Sequence, residues 1–198
     1  MSKRLFDLLM SSLGLLALGP LLILIALAVK LDSPGPVFFR QERVGRFGVP
    51  FRIHKFRTMR HDPAGQGLQI TVGADRRITR VGGLLRRTKL DELPQLIDVW
   101  LGTMSLVGPR PEVPRYVAHY PVELRDKVLS VRPGITDIAS IEYRDESQVL
   151  AQAADPEQAY IQQVLPHKLA LAASYVDQAS VWLDIKLILR TIAAIAGR

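Results

Sequence analysis

The chain has 198 residues, long enough for one domain with a real core. Its net charge of +7 and pI of about 10 point to an anionic partner: nucleic acid, lipid headgroups or phosphorylated substrates. Cysteine is absent, which excludes a disulfide framework and a thiolate metal site. The histidines (His54, His61, His119, His167) lack zinc-type spacing and read as ordinary surface or core residues; no Walker or Rossmann glycine pattern and no internal repeat occur.

Leu8 to Val29 carries no charge, about 22 residues, enough for a straight helix to span a hydrocarbon core of roughly 30 Å. No small-residue cleavage site follows, and Lys30-Leu31-Asp32 ends the run abruptly. Gly19-Pro20 sits near its middle. Lys3 and Arg4 precede it and Lys30, Arg40, Arg43 and Arg46 follow, so the positive-inside rule keeps both flanks on the cytoplasmic side. A helix broken at Gly19 and Pro20 can dip in and return. On sequence physics alone, a single span is the commoner outcome.

Pro34-Gly35-Pro36 is a rigid turn. Val37 to Phe39 and Pro50 to Ile53, on either side of Gly45 to Gly48, predict a β-hairpin. His54 to Met59 is basic, either an edge strand carrying anti-pairing charges or a phosphate-facing strand end. His61 to Val72 predicts a loop. Ile78, Val81, Leu84 and Leu85 form an apolar stripe beneath Arg76, Arg77, Arg80, Arg86 and Arg87, a basic amphipathic helix. Its plainer reading is a core helix with a solvated basic face.

In Lys89 to Leu96, KLDELPQL, an apolar frame (Leu90, Leu93, Leu96, then Ile97 and Trp100) recurs at helical spacing. Pro94 must fall in a first turn, where its missing N–H costs little. Asp91 as N-cap puts Pro94 at N3; Thr88 as cap puts it deeper and kinks the helix. Either way Asp91 and Glu92 lie near the positive end of a helix dipole. A capping acid beside a solvated glutamate is the bland alternative. The arginines upstream, Gly108-Pro109-Arg110-Pro111 and Arg132-Pro133-Gly134-Ile135-Thr136 downstream, suggest instead carboxylate, metal and phosphate brought together.

Val113 to Val131 reads as one helix ended by Pro133-Gly134. Asp155-Pro156 starts another, Leu165-Pro166 breaks it, and a further helix runs to about Val176. Trp182 to Ala196 is apolar but holds Asp184, Lys186 and Arg190; it packs on the core or lies in an interface.

With KLDELPQL, GPRP, RPGIT and the basic KFRTM strand end in order behind an apolar segment, the chain resembles the bacterial sugar transferases, the monotopic polyprenyl-phosphate phosphoglycosyl transferases, in their minimal form. The likeness covers roughly residues 2 to 138 and resumes at Trp182 to Lys186. It implies an α+β, mostly helical fold: a re-entrant membrane helix over residues 1–31, kinked at Pro20, and a catalytic unit over 32–198 at the cytoplasmic face of the bacterial inner membrane. A small β-hairpin and amphipathic surface helices would surround the catalytic helix. It implies transfer of a sugar 1-phosphate from a UDP-sugar to polyprenyl (undecaprenyl) phosphate with release of UMP, in the first membrane step of glycan assembly. Asp91 would be the nucleophile and a ligand of Mg²⁺, with Glu92 beside it. Lys55, Arg57, Arg86, Arg110 and Arg132 are the expected phosphate-binding residues. Expected partners are the two substrates and membrane lipids, with no nucleic acid; a homodimer is left open. The family often has Ser-Pro at the helix break, where this chain has Gly19-Pro20, and Gly-Trp after RPGIT, where this chain has Asp137-Ile138.

Two other classes fit the charge: a membrane-tethered nucleic-acid binder, which lacks a recognisable helix-turn-helix or RNA-binding signature, and a membrane-surface protein without chemistry.

Overall fold

A computed structural model of the chain describes residues 2–60, 75–143 and 150–197. The expected loop His61 to Val72 lies outside them, as do Arg144 and Asp145. Among the described residues the fold is mostly helical with three two-stranded sheets.

Helix α1, Ser2–Asp32, runs without interruption through Gly19 and Pro20. Among the described residues it is the one helix long and apolar enough to cross a membrane. One face is seated on the rest of the chain: Asp7, Ser11, Ile25 and Val29 are buried and recur at helical spacing. At Gly14 the helix crosses close to Leu96, so close that an added Cβ would stand 3.2 Å from its Cδ1. The other face is open and apolar, with Leu5, Leu9, Leu13, Leu16, Ile23 and Leu27 exposed.

Both ends of α1 are tied to the same body by polar groups. At the start, Lys3 donates to the Asp184 carboxylate and to Val107 O (3.0 Å), and Arg4 donates to Val99 O (2.6 Å) and Trp100 O (2.9 Å). Asp7 Oδ1 accepts from the Ser105 hydroxyl and the Leu106 N–H, each at 3.1 Å. At the end, Asp32 Oδ2 accepts from Val81 N–H at 3.0 Å, while Ile25 and Val29 pack with Phe56 and Leu85.

The expected hairpin is displaced inward. Strand β2, Glu42–Val44, pairs antiparallel with β3, Pro50–Arg52, in the register Val44↔Pro50. β1, Phe38–Phe39, pairs outside it with β4, Lys55–Phe56, as Phe38↔Phe56 and Phe39↔Lys55. The short turn at Gly45 to Gly48 forces the residues beside it to meet, so Phe38 and Phe39 must find a partner further on. Phe47 (φ 59°) and Gly48 (φ 78°) turn the chain there in left-handed conformations.

Helix α2, Arg80–Thr88, starts on the Thr79 side chain, which accepts from Gly82 N–H. Of the expected stripe, Leu85 is buried and Leu84 exposed. Gly82 abuts Thr58 O so closely that a Cβ would come within 2.1 Å of it, which seats α2 on the KFRTM segment. After α3, Gln95–Leu101, comes β5, Ser105–Val107, parallel to β6, Gly134–Thr136, with Ser105↔Gly134 and Val107↔Thr136. The last three residues of RPGIT, Gly134–Thr136, are β6. Gly108 and Gly134 face each other: a Cβ on Gly134 would lie 2.1 Å from Gly108 N. The GPRP and RPGIT motifs are thereby joined, with Gly134 N–H donating to Pro109 O at 3.0 Å.

The single helix expected from Val113 to Val131 is two, α4 (Pro114–Val117) and α5 (Val122–Val128), because Pro121 cannot donate within a helix. α6 is Ile138–Glu142. Asp155 caps α7, Pro156–Ala159, as expected, accepting from Glu157 and Gln158 N–H. Leu165-Pro166 does not part the chain. A π turn, Tyr160–Val164, carries it into α8, Leu165–Gln178, and the wider turn falls just before Pro166, which has no N–H to donate. These elements enclose the largest core, around Val113, Tyr116, Val128, Tyr160, Leu165 and Leu169. α9, Val181–Ala196, buries Asp184 and Leu187 and leaves Trp182, Leu189 and Ile192 exposed.

Candidate active site

The segment that carries Asp91 and Glu92 starts with a reversal. Thr88 closes α2, its hydroxyl donating back to Leu84 O at 2.9 Å, and Lys89 turns the chain in a left-handed conformation (φ 57°). A 3₁₀ turn, Leu90–Glu92, follows, and Pro94 stands in front of α3. Neither expected cap applies: among the described residues no side chain caps α3. Pro94 has no N–H to offer, so 3₁₀ bonds (Glu92 N–H to Lys89 O, Leu93 N–H to Leu90 O) close this turn instead. The Asp91 carboxylate is thus not consumed by the helix end.

Asp91 is buried, 2% exposed. Its Oδ2 lies 3.1 Å from Lys55 Nζ, which also donates to Glu92 Oε1 at 3.0 Å. Its Oδ1 is buried with no hydrogen-bond partner among the described residues. Such an atom is costly unless something binds it. Glu92 takes a two-pronged grip from Arg110, Nη1 to Oε2 at 3.2 Å and Nη2 to Oε1. Burial pushes the Glu92 carboxyl up, but Arg110 first and Lys55 next outweigh it and hold it well below the usual carboxylate range. Glu92 in turn raises the Arg110 guanidinium further above its ordinary value.

Arg110 is aimed by the joined glycine motifs. Its own N–H reaches Asp137 Oδ2 at 3.3 Å, and Asp137 Oδ1 caps α6 by accepting from Ser140 N–H at 2.7 Å. Lys55 is aimed by the β1–β4 ladder.

Four expected site residues therefore converge: Asp91, Glu92, Lys55 and Arg110. Two expected phosphate-binding arginines, Arg57 and Arg132, are bonded elsewhere. Arg57 is buried and donates to three carbonyls at the end of α1, Val29 O (3.2 Å), Ser33 O (2.6 Å) and Pro34 O. Arg132 Nε donates to Gly102 O at 2.7 Å, at the end of α3. Arg86 is in the last turn of α2; Asp75, held below its ordinary value chiefly by hydrogen bonds from Arg77, also feels the Arg86 charge. Gly19 and Pro20 lie mid-helix on α1. Lys89 was missed as a site residue. Burial lowers its ammonium, and it shares the field of Glu92, Arg110, Lys55 and Asp91. Its place two residues before Asp91 was the available signal.

Among the described residues no three His, Cys, Asp or Glu side chains converge as a metal cage. Mg²⁺ does not need one, since it often binds one or two carboxylates and takes its remaining ligands from substrate phosphates and water. The orphaned Oδ1 makes Asp91 the residue that fits such an ion.

The sequence matches the bacterial sugar transferase family over residues 1–198, and the chain belongs to that family. It is 39% identical, over 201 residues, to a UDP-glucose:undecaprenyl-phosphate glucose-1-phosphate transferase of Xanthomonas campestris pv. campestris, covering 100% of this chain and 39% of that protein. A Caulobacter vibrioides protein of the same description is 37% identical over 98% of this chain and 69% of its own length. A UDP-N-acetylgalactosamine-undecaprenyl-phosphate N-acetylgalactosaminephosphotransferase of Aeromonas hydrophila is 37% identical over 98% of this chain and 43% of its own length. The chain thus spans about two fifths of the length of several of these relatives.

Arg110→Gln should leave Glu92 in a largely buried site without its main counter-charge, at a cost of roughly 2–4 kcal/mol at pH 7. A carboxyl held low in the fold stabilises it above the ordinary carboxylate pKa, and that contribution fades as pH falls through the lowered value. Thermal melts of wild type and variant should differ most at neutral pH and converge in acid. A gap that is constant with pH would show that Arg110 does not stabilise the charged form of Glu92.

Proposed function

We propose that this chain moves a sugar 1-phosphate from a UDP-sugar to undecaprenyl phosphate and releases UMP, with Asp91 as the covalent nucleophile. The observation that carries this reading is the buried Asp91 carboxylate, one oxygen against Lys55 and the other without a partner among the described residues, beside a Glu92 gripped by Arg110. The names of the relatives support the substrate pair, a UDP-sugar and undecaprenyl phosphate.

In the first half-reaction an Asp91 oxygen attacks the sugar-bearing phosphorus. The bond from that phosphorus to the bridging oxygen breaks, and UMP leaves with the electron pair. In the second half, an oxygen of the lipid phosphate attacks the same phosphorus, and Asp91 leaves as carboxylate. Lys55 and Arg110 supply fixed positive charge where the phosphoryl oxygens gather, and Lys89 adds to it. Glu92 holds these cations in place before substrate arrives. Mg²⁺, when bound at Asp91, would neutralise diphosphate charge that otherwise repels a carboxylate.

One substrate is lipid-borne, so the site must sit at a membrane surface. The open apolar face of α1, the exposed Trp182, Leu189 and Ile192 of α9, and the nearby Lys186 and Arg190 suit that position. α1 is read as entering and leaving on the cytoplasmic side, because both of its ends are tied to one body and both flanks are basic.

The chain lacks cysteine, so single cysteines report cleanly. Ser2→Cys and Pro36→Cys should both resist a membrane-impermeant maleimide in intact cells and both react after lysis. Labelling of Ser2→Cys from outside would make α1 a spanning helix.

Enzyme with UDP-sugar and Mg²⁺ but no lipid acceptor should gain the mass of one phosphosugar on Asp91. Asp91→Asn should gain nothing, since an amide is a poor nucleophile. Intact-protein mass spectrometry after rapid quenching checks this. A wild-type enzyme that releases UMP in the full reaction yet never carries the adduct would leave Asp91 as a metal ligand only.

A further inference from the structure

Asp98 is buried in α3, 2% exposed, and its carboxylate is spent on a neighbouring strand segment. Oδ2 accepts from the His54 backbone N–H at 2.8 Å, and Oδ1 meets His54 Nδ1 at 2.7 Å. The far ring nitrogen, Nε2, faces Arg40 Nη1. A guanidinium can only donate, so Nε2 accepts and Nδ1 carries the hydrogen that goes to Asp98. Arg40 is itself fixed, its Nη2 donating to Arg52 O at 3.0 Å. The main-chain carbonyl of Asp98 meanwhile accepts from Gly102, Thr103 and Met104 N–H, each at 3.1 Å, closing the end of α3.

His54 immediately precedes Lys55. The two-point grip of Asp98 therefore fixes the backbone from which the Lys55 side chain departs. Lys55 then reaches the other end of the same helical segment, 3.1 Å from Asp91 Oδ2 and 3.0 Å from Glu92 Oε1. Asp91 and Asp98 are seven residues apart, so the segment is clasped at both ends, about two helical turns from each other. A lysine is a compact charge on a flexible stem, and an ordered base shortens the list of places its ammonium can visit. β4 is only two residues long, Lys55–Phe56, so the grip on His54 adds to what the β1–β4 ladder provides.

We propose that His54 and Asp98 are a positioning pair that holds Lys55 against the Asp91 and Glu92 carboxylates. The geometry stands by itself; the catalytic consequence rests on the transferase reading above. Neither residue touches the reacting atoms. Their effect passes through Lys55, and with Lys55 loosened the phosphoryl charge would meet a cation that must first be ordered.

The test reads Lys55 directly, in the full chain held in detergent or nanodiscs, by the rate at which a water-soluble acylating reagent modifies each lysine. Lys127, ion-paired with Asp177 at 2.6 Å on other elements, is the internal reference. His54→Leu and Asp98→Asn should each speed modification of Lys55 by about fivefold, the factor a lost hydrogen bond gives, with Lys127 unchanged. His54→Asn keeps a donor towards Asp98 and should react close to the wild-type rate. An unchanged Lys55 rate in both damaging variants would overturn the proposal. So would equal acceleration at Lys55 and Lys127, which means general loosening.

A kinetic arm separates this proposal from the reaction itself. His54→Leu should lower kcat more than it raises KM, and adding it to Lys55→Met should cost nothing further. Losses that multiply in the double variant would overturn the route through Lys55. Variants that respond in labelling as described, beside a wild-type chain that forms no UMP with any UDP-sugar, would sink the transferase reading and leave the pair standing.

Discussion

Two carboxylates lie side by side in a largely buried site, and the structure depends on how their charge is met. Lys55 is shared between Asp91 and Glu92, and Arg110 grips Glu92 with both prongs. Burial alone would protonate a carboxyl in such a place; here the cations win at Glu92. What they leave over is one Asp91 oxygen, buried and unpartnered among the described residues. Each cation comes from a different part of the chain, so three separate stretches must be brought to one point with little tolerance.

Glycine makes that convergence possible at the Arg110 side. Gly108 and Gly134 allow two backbones to touch where any side chain would collide, and the turn carrying Arg110 is pressed onto β6. On the Lys55 side, the β1–β4 pairing and the His54–Asp98 bonds take that role. α1 then lies across the assembly, crossing α3 at Gly14, with Asp7 and Lys3 binding one end and Arg57 and Asp32 the other. The apolar helix and the polar site are therefore one unit. This is what a reaction between a lipid phosphate and a water-soluble nucleotide sugar would require.

Much of this was legible in the residues, and the failures share a cause. The apolar run of α1, the Asp155-Pro156 start of α7, and the grouping of Asp91 and Glu92 with Lys55 and Arg110 could be read because each signal is local or repeats a recognisable motif. Arg57 and Arg132 were read as phosphate ligands because a guanidinium has the same donors for a phosphate and for a carbonyl. Their acceptors, Ser33 O and Gly102 O, come from 24 and 30 residues away and leave no trace in local sequence. The parallel β5–β6 pair escaped because three-residue strands show no periodicity. The helix cap at Asp91 was misplaced because nothing in Lys89 announces a left-handed turn, which glycine or asparagine would have done.

The central claim is that the Asp91 carboxylate displaces UMP before the lipid takes part, and isotope exchange tests it most directly. Enzyme, Mg²⁺, unlabelled UDP-sugar and radiolabelled UMP are mixed with no polyprenyl phosphate present. If Asp91 forms a phosphosugar intermediate, label must pass from UMP into UDP-sugar, and Asp91→Asn must abolish the passage. Exchange that is absent from the wild-type enzyme until polyprenyl phosphate is added would contradict the account, because the lipid phosphate would then be the direct attacker.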